Sequence, residues 1–367
     1  MGQRNGRDPA TKEVPVSIWL RVAGVAAMLD AVRVVLTGAT GNVGTALCRW
    51  LVDHPAVSSV SAIARRLPSS SGDQTNARTQ WHSVDIAEPD ASERLARIFA
   101  GADAVVHLAW RITEDHDRNQ QLRVNRDGSA AVFDAVRRAG VRHLTFLSSA
   151  AVYSPAPPGS VVREDWPRRG IPGSAYSADK VAVEDLLDRV QAETPDLRIV
   201  RVRPPTVLQA SAAGEIAAMA LGRAAPLTRI LRGRLPLLPL PSRTRIQVVA
   251  AADVADLVGR ALLADASGAF NVADEPVLSP AELAELLGGR HVPVPAHLIR
   301  ALLDVTFRLR LQRLDPSWVD VLVNGPQLDC ESARTRLGWR GSHDGRALLT
   351  ELRETVAKGA GAPAPPL

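Results

Sequence analysis

The hydrophobic positions of this chain fall into a rhythm from Ala31 onward. Val32–Leu36 is a short β-branched run, and a glycine-rich turn separates it from ALCRWLVDH, whose apolar residues return at helical spacing. Short apolar runs at Val60–Ala64, Gln80–Ile86, Ala104–Leu108, His143–Leu147 and Leu197–Val202 read as strands. Amphipathic patterns at Ser92–Ala100, Arg118–Ala139 and Val181–Val190 read as helices. Gly140 is a C-cap for the second, and the third extends back through SAYSADK at 174–180. Strands alternating with helices at this spacing predict an α/β fold, a doubly wound parallel sheet of Rossmann-like form with helices on both faces.

After Pro204 the rhythm breaks. Prolines cluster at 204, 205, 226, 236, 239 and 241, and helical patterns at Gly214–Arg223, Asp253–Ala264, Pro280–Leu287 and Ala296–Leu311 alternate with short extended pieces. This predicts a smaller, irregular C-terminal substrate lobe, with Ile246–Val249 and Ala269–Val272 returning to the main sheet. The expected division is a loose extension over 1–29, the main domain over 30–203, the lobe over 204–345, and a helix end with a disordered tail over 346–367.

The leader segment SIWLRVAGVAAML (17–29) has the look of a secretory core. Arg21 interrupts it, Asp8, Lys12 and Glu13 precede it, and it falls short of the ~20 apolar residues that cross a bilayer. Met28 is a second candidate start. Neither a membrane span nor a membrane partner is expected.

Composition adds constraints. With 46% hydrophobic and 23% charged residues, the 367-residue chain is that of a packed globular protein, and with 4% aromatics its core must be built from alanine, valine and leucine. The net charge of +5 comes from scattered arginines, which reads as a solvated surface rather than a nucleic-acid face. Cys48 and Cys330 lie far apart without metal-ligand spacing, so no metal and a reducing, cytoplasmic setting are expected. Against 44 basic residues there are only three lysines, Lys12, Lys180 and Lys358, and only two tyrosines, Tyr153 and Tyr176. Tyr176 and Lys180 stand one helical turn apart, a pairing that suggests chemistry more than solubility.

TGATGNVG sets Gly38, Gly41 and Gly44 three apart, after a strand and at the mouth of a helix. Such glycines permit a tight turn, close approach of the backbone to a pyrophosphate, and close helix–strand packing, while free N–H groups at the helix start face the phosphates. The bland reading is a tight βα connection; its context favours a dinucleotide site.

These features resemble the extended branch of the short-chain dehydrogenase/reductase superfamily, the NAD-dependent epimerase/dehydratase proteins. The likeness runs from about Val32 to Thr335. It is carried in order by TGATGNVG, VDI (84–86), HLAW (107–110), VNRDGS (124–129), LSSAAVY (147–153), YSADK (176–180), RPPT (203–206), AADVA (251–255) and FNVAD (270–274). The resemblance implies cofactor contacts at Gly38, Thr40, Gly41, Asn42, Val43, Gly44, Asp85, Ile86, Leu108, Ala109, Lys180 and Pro204. It implies substrate contacts at Trp110, Ser149, Thr206 and Arg245. Asp85 could equally cap a helix before IAEPD. The second strand ends at AIARRL, with Ala64 where NAD-preferring relatives carry an acid and Arg65 and Arg66 next, which leans towards NADP over NAD unless the two arginines are merely solvated.

The resemblance also implies roles. Tyr176 exchanges a proton with the substrate oxygen as hydride moves to or from the nicotinamide, and Lys180 holds the ribose and lowers the phenol's pKa. Ser149, with Ser148 as a neighbouring candidate, orients the reacting oxygen. Asn125 props the site, unless it is an ordinary polar helix residue.

Ala150 and Ala151 stand where 4,6-dehydratases carry an acidic pair, so that reaction is not expected. Thr206, with Val207-Leu208-Gln209 after it, departs from the nucleotide-sugar pattern. Arg232, Arg234, Arg243 and Arg245 could clamp a diphosphate or be solvated beside an apolar substrate. Three readings follow: an epimerase or oxidoreductase of the sugar-nucleotide type, a reductase or dehydrogenase of a bulkier apolar carbonyl or sterol-like alcohol, or a non-enzymatic dinucleotide sensor. A homodimer through helices 118–139 and 176–193 is expected by analogy.

Overall fold

The computed structural model describes residues 31–68, 77–112, 117–157, 159–213, 234–312 and 315–358. The leader, the pattern at Gly214–Arg223, Arg232 and the last nine residues lie outside them.

The first half alternates as its sequence predicts: β1 (Val32–Thr37), α1 (Asn42–Asp53), β2 (Val57–Ala64), β3 (Thr79–Ser83), α2 (Ala91–Phe99), β4 (Ala104–His107), α3 (Arg118–Leu122), α4 (Gly128–Arg138), β5 (His143–Leu147), β6 (Val161–Val162), α5 (Ala175–Glu193) and β7 (Arg198–Arg203). The rest comprises β8 (Thr206–Leu208), β9 (Leu237–Leu240), β10 (Val248–Ala250), α6 (Ala251–Leu263), β11 (Gly268–Asn271), α7 (Pro280–Leu286), β12 (Arg290–Pro293), α8 (Ala296–Arg308), α9 (Trp318–Asn324), β13 (Gln327–Leu328), α10 (Glu331–Leu337) and α11 (Gly345–Lys358).

Seven strands form one parallel sheet in the order β11-β7-β5-β4-β1-β2-β3. Period-two alternation sends neighbouring side chains to opposite faces. In β1, Val34 and Leu36 join a core with Leu47 and Leu51 of α1 and Leu257 of α6, while Val35 joins another with Leu95, Phe133 and Leu187 of the helices beyond. Helices therefore cover both faces of the sheet. The strand order turns at β1 and β4, opening a crevice at their carboxyl ends.

Three expectations are corrected. The pattern at Arg118–Ala139 is not one continuous helix: a π-helical turn at Arg123–Asp127 separates α3 from α4. The widened turn accompanies burial of Asn125, whose amide is satisfied elsewhere in the backbone. Ala269–Val272 does return to the main sheet as β11, but Ile246–Val249 does not. Its strand β10 pairs with β8 as a separate parallel pair, because Pro204 and Pro205 lack the N–H groups that would continue the β7 ladder. The chain from 345 is not a helix end but the 14-residue helix α11, with Leu348 packed on Leu208, Val248 and Ala250.

No helix among the described residues is long and apolar enough to cross a membrane.

Candidate active site

The glycine loop makes one wall of the crevice. Gly38 has φ +72°, and a Cβ there would lie 2.6 Å from the Ala109 nitrogen after β4. At Gly44 a Cβ would lie 2.2 Å from the Gly38 carbonyl, so α1 can approach β1 this closely only without a side chain. Gly41 is the N-cap of α1 and supplies no side chain to its first turn, leaving N–H groups available to an anion. Asn42 instead reaches across to donate to the Val207 carbonyl at 3.1 Å, and Val43 is buried in the core. These two belong to the loop's architecture rather than to the cleft surface.

The cleft is lined by Gly38, Thr40 and Gly41, by Ala64, Arg65 and Arg66 from the end of β2, by Asp85 and Ile86, and by Leu108, Ala109 and Trp110 after β4. No carboxylate stands at Ala64. β3 ends at Ser83, not Ile86 as the pattern suggested, because Asp85 Oδ1 accepts the Ala87 N–H at 3.0 Å and turns the chain. The capping reading of Asp85 and its place on the cleft wall hold together. A dinucleotide fits this donor set, with an uncapped helix start for the pyrophosphate, backbone that tolerates no Cβ, and arginines at the ribose end.

The tyrosine and lysine adjoin the cleft through Trp110, one of its lining residues, which meets the Tyr176 ring and lies under Lys180. Ser174 caps α5 by accepting the Ser177 N–H at 3.2 Å. The Ser177 hydroxyl donates to the Ala151 carbonyl at 2.6 Å and accepts the Ile171 N–H at 2.7 Å. These bonds fix the first turn of α5, which carries Tyr176, against the loop after β5, which carries Ser149. The Ala150 N–H donates to the Pro204 carbonyl at 2.8 Å, so Pro204 anchors this loop from behind.

The two serines separate cleanly. Ser148 donates its hydroxyl to Glu184, itself held by a bidentate pair with Arg203. Ser149 lies near enough to the Tyr176 phenol to pull its pKa down, and its Oγ accepts the Ala151 N–H at 3.1 Å. Ser149 is the one that faces the phenol.

Lys180 is buried, donates to the Leu147 carbonyl at 2.7 Å, and rests over the Trp110 ring at 3.5 Å from its centroid. Its Nζ lies 6.0 Å from the Tyr176 ring centroid. Burial pulls the ammonium's pKa well below its usual range, opposed by the nearby Glu184 and Asp179 carboxylates. Burial likewise raises the Tyr176 pKa, and the neighbouring Ser149 hydroxyl works the other way. The expected lowering of the phenol's pKa by Lys180 is thus not what this structure has. Aromatic packing dehydrates both groups, and the ammonium is engaged by a carbonyl and an indole face.

Asn125 is more than a helix residue. Its Oδ1 accepts the Arg111 N–H at 2.7 Å and its Nδ2 donates to the Arg111 carbonyl at 2.9 Å, clasping the segment that carries Trp110. Asp179, buried beside Lys180, pairs with Arg118 and Arg126 and binds α5 to α3 and the π turn.

Two candidate substrate contacts are not brought to this cluster. Thr206 is an exposed residue of β8 paired with Val248, and Arg245 donates to the Thr244 and Ser242 carbonyls of its own loop. Conversely, Trp318 of α9 lies tilted against Tyr176, with ring centroids 4.8 Å apart. Sequence reasoning passed over it, since a lone tryptophan among prolines gives no periodic or motif signal.

A model of the NAD dependent epimerase/dehydratase family matches residues 34–273. An uncharacterized protein of Mycobacterium tuberculosis is 24% identical over 313 residues, covering 84% of this chain and 79% of its own. The UDP-glucose 4-epimerase of Yersinia pestis is 29% identical over 185 residues, 46% of this chain and 52% of the relative. Among solved structures, UDP-glucuronic acid 4-epimerase from Bacillus cereus in complex with NAD superposes with a TM-score of 0.65 at 18% identity, covering 89% of this chain and 99% of the other. UDP-glucose 4-epimerase from Thermus thermophilus in complex with NAD gives 0.64 at 21% identity, covering 88% and 98%. These last two likenesses are of fold.

Proposed function

The chain belongs to the NAD-dependent epimerase/dehydratase family, and from that premise we propose that it is an NAD(P)-dependent enzyme moving a hydride between nicotinamide and an alcohol or ketone carbon. The observation that carries this reading is Trp110, which lines the dinucleotide cleft, meets the Tyr176 ring edge-on at 6.3 Å and carries Lys180, one helical turn on from Tyr176, over its own face at 3.5 Å. When bound, the dinucleotide supplies a two-electron hydride acceptor or donor.

The chain's own groups do the rest. The loop around Gly38, Gly41 and Gly44 and the start of α1 hold the pyrophosphate. Arg65 and Arg66 accept a ribose 2′-phosphate, favouring NADP, and Asp85 and Ile86 border the adenine. Tyr176 Oη takes the substrate's hydroxyl proton as hydride leaves the carbon, and returns it when a carbonyl is reduced. Ser149 Oγ holds the reacting oxygen in register with the phenol. Ala150 and Ala151, buried beside it, offer no proton-transfer group, which argues against 4,6-dehydration.

Nucleotide-sugar epimerisation is the first substrate reading, supported by what the similar proteins are named for. A bulkier apolar alcohol or ketone is the second, favoured by Trp110 and Trp318 around the phenol and by the engagement of Arg245 with its own loop. A homodimer through α4 and α5 accompanies either reading.

Mass spectrometry of the purified protein identifies the retained dinucleotide. Tightly held NAD with no net consumption supports epimerisation; turnover of added NADPH with a ketone supports reduction. A protein that binds neither NAD nor NADP would overturn both.

A further inference from the structure

α8 is apolar on two faces. Ile299, Leu303 and Phe307 turn towards the protein and are half-buried. Leu298, Leu302, Val305 and Leu309, spaced as one stripe along the helix and its C-cap, are 53%, 64%, 53% and 64% exposed. Exposed Leu311 follows in the chain. Exposed Leu237 and Val292 lie on the β9–β12 pair that α8 packs against. A contiguous exposed stripe of this kind marks a contact surface.

The charge around the stripe says what covers it. Asp304 is the only acid of α8, and Arg308 already engages it. Arg300 is paired with Asp320. Arg234, Arg290 and Arg310 are exposed and have no carboxylate partner among the described residues, Arg290 standing opposite Leu237 in the strand pair. A second copy would set these arginines against their like. A bilayer bearing anionic headgroups meets both the apolar stripe and the positive charge.

We propose that α8 docks in the plane of an anionic lipid surface, with Leu298, Leu302, Val305 and Leu309 entering the acyl boundary and Arg290 and Arg310 at headgroup level. With no described helix able to span, this contact is peripheral. It also lies one helix from the chemistry, because the Arg300–Asp320 pair at 2.8 Å joins α8 to α9, and α9 carries Trp318 onto Tyr176. That proximity would let an amphiphilic alcohol or ketone pass from the surface to the phenol. This last step rests on the apolar-substrate reading; the docking does not.

The test is co-sedimentation of the full chain with vesicles of phosphatidylcholine, alone or mixed with phosphatidylglycerol. Binding to the mixed vesicles, weakened by salt and lost in a Leu302→Asp/Leu309→Asp variant, is the expected result. Arg290→Ala and Arg310→Ala should each weaken it roughly fivefold. Thermal melting and dinucleotide titration of the same variants, unchanged because these side chains face water, separate lost docking from lost folding or a failed active site. Absence of vesicle binding, or equal salt-independent binding to phosphatidylcholine alone, overturns the proposal. So does a dimer in sedimentation velocity that the double variant converts to monomer, which would assign the stripe to a second copy.

Discussion

The Trp318 indole lies against the ring of Tyr176 with centroids 4.8 Å apart and planes inclined by 33°. Trp110 meets the same phenol edge-on at 6.3 Å. On the proposed reaction a substrate oxygen at Tyr176 would lie beside these two rings, which makes Trp318 the substrate contact to test. Trp318→Ala should raise KM by about two- to tenfold, the range of one aromatic contact, with a smaller change in kcat. Trp318→Phe should restore most of the loss. Steady-state kinetics on the two variants reads the split.

Tyr176→Phe removes the proton-bearing oxygen and leaves the ring packing in place. Turnover should fall by roughly a hundredfold or more, the usual scale for a positioned acid–base group. Dinucleotide affinity by fluorescence titration should stay unchanged. Full turnover in this variant would remove Tyr176 from the mechanism.

The raised pKa of Tyr176 sets a direction for pH dependence. Alcohol oxidation needs the phenolate, whose fraction is small at neutral pH, so its rate should climb about tenfold per pH unit through the alkaline range without levelling near neutrality. Carbonyl reduction uses the protonated phenol and should stay flat over the same range. Rates measured in both directions across the range check the sign.

Arg65→Ala and Arg66→Ala test the choice of dinucleotide. Each should weaken NADP binding several-fold and leave NAD nearly unaffected, since only the former carries the 2′-phosphate an arginine can pair with. Parallel titrations with the two cofactors measure the ratio.

Away from the cleft, Asp274 lies beside Asp253, and its carboxyl is pushed up to about 7 by burial, with the Asp253 carboxylate adding to the effect. The Ala250 N–H and the nearby His343 work in the opposite direction. A folded-state pKa above the ordinary 3.8 means that the native protein takes up a proton as it folds in the window between. This contribution is full below that ordinary value and is lost as pH rises through about 7. Asp274→Asn should therefore raise the melting temperature relative to the parent at pH 8 and have little such advantage at pH 4, while an amide oxygen still accepts from Ala250. Thermal melts at the two pH values decide it.

The sequence by itself determined the parallel sheet and its cradle. Alternating patterns dictate which faces of β1, β4 and β5 are buried, and Gly38 and Gly44 announce places where no Cβ fits. It also set Tyr176 and Lys180 one turn apart by helical spacing, whereas Ser149 joined them only through the family resemblance. It could not show that Asn125 clasps Arg111, that Ser148 rather than Ser149 turns to Glu184, or that Trp318 arrives from far along the chain to cover the phenol. Nor could it set the protonation balance of Tyr176 and Lys180, because that depends on how much water the surrounding aromatic rings exclude. Periodicity and turn chemistry act over a few residues and are written locally. Contacts between distant segments, and the dehydration they impose, exist only once the chain has closed on itself.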